Sequence, residues 1–171
     1  MEKSKFKKLL FNIACSTMAC DFDIDEREIE EIKDLADKTT YFDGLNLGNS
    51  LDLFVKKFKD NPHNTLDESI NSLNEEDMDP VQEMLILEVV LRVVYADTKV
   101  DPKEVEFVKK VRSVLAIEDN VIADRFGKID FIMKEATKGD FNTGNTLSTR
   151  SNKLDNEDME NLEGLYFNIK E

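Results

Sequence analysis

The 171-residue chain contains no tryptophan, only two cysteines and a single histidine. Glycine and proline are also scarce, at 6 and 3 residues, half or less of their usual shares of about 7% and 5%. Few turn formers means few tight loops, which argues against a β-sandwich or barrel and for helices. The cysteine and histidine shortage removes the usual zinc ligand sets, because no CxxC pair or Cys/His cluster is present. Cys15 and Cys20 lie five apart in a stretch with helical periodicity, a spacing that turns their side chains away from each other. They read as small buried residues rather than a disulfide. His63, in Asn61-Pro62-His63-Asn64, reads as a turn residue and offers no dyad for nucleophilic catalysis. Basic charge is short as well: 37 acidic residues against 23 basic ones leave a net charge of −14. A chain this acidic repels nucleic acid and anionic lipid, so neither is expected as a partner.

What is present is a hydrophobic share of 40%, with 11 phenylalanines supplying the bulk. The basic start is followed by an apolar run that lacks a small-residue cleavage site, and Met84–Ala96 is too short to span a bilayer. A soluble, cytoplasmic chain is the expectation. Helical periodicity runs from about Lys5 to Cys20 and from Glu26 to Lys38, followed by turn chemistry around Asp43-Gly44 and Gly48-Asn49-Ser50. A short amphipathic helix around Leu51–Phe58 should stop at Asn61-Pro62, and another should cover Thr65–Leu73. Asp79-Pro80 opens a helix to about Ala96 that is apolar almost all round, and Asp101-Pro102 opens the next. A further helix is expected over Val121–Ala136. The expected architecture is an all-α, compact single-domain bundle spanning residues 1–138. Residues 139–171 read as a polar, acidic tail, mobile or loosely docked, with a short helix near Asn156–Leu165 that carries Met159, Leu162 and Tyr166 on one side.

The most informative feature is a duplication. Cys20-Asp21-Phe22-Asp23-Ile24-Asp25-Glu26-Arg27-Glu28-Ile29 recurs as Ala96-Asp97-Thr98-Lys99-Val100-Asp101-Pro102-Lys103-Glu104-Val105, at a constant offset of 76 residues. Each copy joins a long apolar helix to a charged amphipathic one through an acidic turn, which suggests two pseudo-symmetric helical hairpins. Asp25 and Asp101 stand where an N-cap belongs, with Glu28 and Glu104 three residues later, so each copy reads as a capping box. Asp21 and Asp97 fall at the negative end of the preceding helix dipole, where a carboxylate is disfavoured; they close Asx-turns or meet a cation. An EF-hand is excluded, since Glu26, Glu28 and Ile32 occupy the positions that need glycine, an aliphatic residue and glutamate.

A small residue, Asp, an aliphatic residue and Asp-x-x-Glu, twice, resembles the TerB-like family of tellurite-resistance proteins. The resemblance covers residues 5–38 and 80–117. It departs from the family where a glycine commonly follows the first Asp, since this chain has Phe22 and Thr98 there. The resemblance implies an all-helical, non-enzymatic stress-response module that works through protein partners, with or without a divalent cation. The candidate metal ligands are Asp21, Asp25, Glu28, Asp97, Asp101 and Glu104. An all-oxygen set of this kind favours Ca²⁺, Mg²⁺ or Mn²⁺. The alternatives are a metal-free acidic adaptor or scaffold, and a Mg²⁺-dependent hydrolase acting through the same carboxylates.

Overall fold

The structure, a computed structural model, describes residues 1–24, 26–96 and 100–133. Seven helices and no β-strand occur among the described residues: α1 Lys3–Met18, α2 Glu26–Lys38, α3 Leu47–Asp60, α4 Pro62–Glu75, α5 Pro80–Val94, α6 Pro102–Val114 and α7 Asp119–Phe126. The fold is therefore all-α, as the periodicity and the shortage of glycine and proline imply. The tail reading for residues 139–171, and the short helix within it, lie outside the described residues.

Helix α5 forms the centre, and it packs most extensively on α1. Ile86, Leu87, Val89, Val90, Leu91, Val93 and Val94 are all buried, so this helix has core on every side, as its unbroken apolar run demands. The second half of α1 is likewise buried all round, from Ile13 to Met18. Around this pair α2 packs on α5, α4 bridges α1 and α6, and α3 lies against α4. Buried apolar residues of the helices form one contiguous core.

Capping chemistry sets the helix starts. Asp79 accepts a bond from Gln82 N at 2.9 Å while the Gln82 side chain returns to Asp79 N at 3.2 Å, and Pro80 fills the first position. Asn61 closes α3 and caps α4 at once, its side chain accepting from Asn64 N. As a result α4 starts at Pro62, three residues earlier than expected, and His63 belongs to a helical first turn rather than to a loop. Asn46 caps α3, which makes Gly48-Asn49-Ser50 the first turn of that helix and not a loop. The expected helix over Val121–Ala136 ends instead at Phe126, because Gly127 takes φ +75° and leaves the helix.

Buried polar groups are tied to partners that lock elements together. Ser16 of α1 donates to Ser69 of α4 at 2.7 Å. Glu88, fully buried in α5, accepts from the Tyr41 hydroxyl at 2.9 Å and pairs with Arg125 of α7. Arg112 of α6 donates to the carbonyls of Leu115, Ile117 and Ile132, which fastens residues 115–132 to that helix. Glu83 of α5 accepts from the Ala116 and Ile117 amides.

Candidate functional site

The first acidic turn begins where α1 ends. Cys20 N donates to Thr17 O and Phe22 N donates to Ala19 O, so the chain curls tightly after Met18. That curl places Phe22 at φ +74°, in the left-handed region. A bulky residue there costs about 1–2 kcal/mol, and this is the position at which the TerB-like pattern commonly has glycine. The turn has kept the geometry that glycine serves while carrying a phenylalanine, 44% exposed. The next charge, Asp21, is partly explained: its Oδ1 accepts from Asp23 N at 2.8 Å, an Asx-turn.

The second turn leads into α6. Asp101 accepts from Lys103 N at 2.8 Å, and the Glu104 side chain returns to Asp101 N, completing the expected capping box. Glu28 and Glu104, the equivalent third residues of the two motifs, are both buried, at 7% and 8% exposure. Asp25 and Asp97 lie outside the described residues.

The fold brings the two motifs together. Lys103, from the second copy, donates its ammonium to the Asp21 carbonyl of the first copy at 2.7 Å. Cys20 feels both copies: burial pushes its thiol pKa up, and the nearby charges of Glu104, Asp21 and Glu28 push it further. Three of the six candidate ligands thus act on one buried sulfur, two from the first motif and one from the second. Among the described residues no three Asp, Glu, His or Cys side chains are grouped closely enough to form a metal centre. Cys15 is also buried and its thiol pKa is raised by desolvation; both cysteines are free.

Beside this junction a groove of about 290 Å³ runs between α4 and α6. Its apolar surface comes from Cys20, Phe22, Leu66, Ile70 and Phe107. The Phe22 ring meets His63 edge-on at 5.0 Å and lies 6.1 Å from Phe58, while Lys103 stands 5.2 Å above it. Phe22 therefore forms a wall of the groove, although it is the residue in the strained turn. Charge in the groove is balanced, with Lys103 and Lys110 against Asp67 and Glu106, in a chain that is strongly negative.

Sequence reasoning singled out the acidic residues as the site, marked Phe22 only as a departure from the family's glycine, and passed over Lys103 and the groove. Phe22 did carry a legible signal, since a large side chain at a glycine position marks strain. Lys103 carried none, because a lysine early in an amphipathic helix is ordinary, and only the folded chain puts it over the other turn.

No helix of the described residues is long and apolar enough to cross a membrane. No curated protein and no solved structure shows significant similarity to the chain. The family model for tellurite resistance protein TerB matches residues 9–124, which is more than half of the chain and contains both acidic turns. The chain belongs to the TerB family of tellurite-resistance proteins.

Proposed function

We propose that this tellurite-resistance-associated module acts by binding and not by catalysis, and that it engages protein partners at the end where its two acidic turns meet. The observation that carries this reading is Phe22. A large aromatic side chain is held half exposed, in a left-handed conformation, within the motif that defines the family resemblance. Strain of this kind persists where the surrounding structure over-determines it, and it gathers at functional positions. An exposed aromatic side chain is the kind of group that anchors protein interfaces. Affinity capture from cells exposed to tellurite tests the proposal, using wild type, Phe22→Ala and a variant at another exposed apolar residue, Leu53→Ser. A partner retained by Leu53→Ser and lost by Phe22→Ala supports it. Equal capture by all three contradicts it.

A second reading has its own support. Asp21, Glu28 and Glu104, drawn from both copies, act together on Cys20, so negative field accumulates where the turns meet. A divalent cation taking oxygen ligands suits that field, with Asp25, Asp97 and Asp101 as the remaining motif carboxylates. Thermal melting of wild type and Asp21→Asn/Asp97→Asn, with and without Ca²⁺, Mg²⁺ or Mn²⁺ at constant ionic strength, separates this from pure capping. A cation bound only by the native state raises the melting temperature by mass action. No shift in wild type, together with no heat of binding at millimolar cation, eliminates it.

A further inference from the structure

We infer that Asp43-Gly44, in the loop between α2 and α3, is a site of spontaneous backbone modification, where the aspartate isomerises through a succinimide ring to isoaspartate. The chain has no Asn-Gly, and this is its one Asp-Gly pair. Both residues are exposed. Leu45 N donates to Phe42 O at 3.0 Å, so residues 42–45 form a hydrogen-bonded turn with Gly44 in third place, at φ +86°. Glycine with positive φ at that place is the pattern of a type II turn. The turn's hydrogen bond uses the two outer peptides. The central peptide, Asp43 C=O with Gly44 N–H, stands outside it. No heavy atom lies within 4 Å of where a Cβ on Gly44 would stand, so no other part of the fold crowds that amide.

A second observation is electrostatic. The Lys7 ammonium, from α1, donates to the Asp43 carbonyl at 2.9 Å. That carbonyl belongs to the same amide as the Gly44 nitrogen. As the nitrogen gives up its proton and attacks, negative charge spreads onto the carbonyl oxygen, where the ammonium already stands. The step balances with water alone. The Gly44 nitrogen bonds to the side-chain carboxyl carbon of Asp43, and the carboxyl's OH leaves with the amide proton as water. Water then adds to one of the two ring carbonyls. Opening at the side-chain carbonyl returns aspartate. Opening at the main-chain carbonyl leaves Gly44 joined through the side chain, which adds one methylene to the backbone. It also turns the oxygen that Lys7 holds into part of a carboxylate, so the ammonium favours the product as well. The lengthened backbone directly follows two core anchors. Phe42 meets Phe11 edge-on at 5.5 Å, and the Tyr41 hydroxyl donates to Glu88 at 2.9 Å.

Incubating the full chain in heavy-oxygen water tests it, read by peptide mass spectrometry and by labelling with an isoaspartyl methyltransferase. Each passage through the ring puts one heavy oxygen into residue 43. Uptake and isoaspartate are expected there ahead of every other aspartate. Lys7→Gln should slow the uptake about two- to fivefold, the range that one exposed charge contact supplies, and Lys7→Arg should restore it. Circular dichroism of the same samples separates this from unfolding, since an unfolded variant would lose its helical signal. No heavy oxygen at residue 43, or uptake no faster than at the other aspartates, overturns the inference. Uptake at the wild-type rate in folded Lys7→Gln overturns the role given to the ammonium.

Discussion

Lys103 donates its ammonium to the backbone carbonyl of Asp21 at 2.7 Å, across 82 residues of sequence, and so joins one acidic turn to the other. The contact is exposed, and its worth is that of a charge-assisted bond diluted by solvent. Lys103→Ala also gives up the cation–π contact with Phe22. The expected loss is about 0.5–1.5 kcal/mol, measured by urea denaturation. Lys110→Ala, whose exposed partner is Glu106 one turn away on the same helix, should cost less, about 0.3–0.5 kcal/mol.

The left-handed backbone at Phe22 predicts an inverted preference between two small residues. Phe22→Ala and Phe22→Gly both lose the ring and its contacts with Phe58 and His63. Only glycine accepts φ +74° without strain. The glycine variant should therefore be the more stable of the two by about 1 kcal/mol in chemical denaturation, despite its greater unfolded-state entropy. Equal stability would mean that the backbone relaxes once the ring is removed.

At the start of α6, Asp101 accepts from an early helix amide. Asparagine caps about as well as aspartate, so Asp101→Asn should be nearly neutral without added cation. Asp101→Ala should lose about 1 kcal/mol. A large loss on Asp101→Asn would show that the charge itself is needed, which favours the cation reading.

Burial raises the thiol pKa of Cys15, and burial followed by Glu104, Asp21 and Glu28 raises that of Cys20. In the unfolded chain both ionise near the ordinary value of 9.0. The folded state then holds protons that the unfolded state releases, so stability present below pH 9 falls as pH rises above it. Urea melts across that range should show the decline. Native-state alkylation should be slow for both thiols. Glu104→Gln or a bound cation should speed Cys20 selectively, because each removes negative field from its sulfur.

Much of this fold was legible because its signals are local. The Asp79-Pro80 and Asp101-Pro102 caps mark helix starts, and the apolar run from Met84 marks the centre. The misread boundaries had separate causes. Asn61 ends α3 and starts α4, which hid the true beginning at Pro62. Gly127 ended α7, although the apolar residues beyond it continued as Ile129 and Ile132, buried outside the helix. At the candidate site the acidic residues were visible by repetition. Their meeting was not, because proximity of Lys103 to Asp21 depends on how α6 lies against the rest of the bundle.

Among the described residues, Phe22, Leu53, Val81 and Val121 are the exposed large hydrophobic residues. That permits a direct test of where the molecule binds. A photo-reactive phenylalanine analogue would be placed singly at positions 22, 53 and 81 and irradiated in cells exposed to tellurite, with products identified by mass spectrometry. Position 22 should form a discrete cross-link to another protein, while 53 and 81, which are more exposed still, should not. Cross-linking to other proteins that is absent at 22, or no greater there than at 53 and 81, would contradict a binding surface at the meeting point of the two turns.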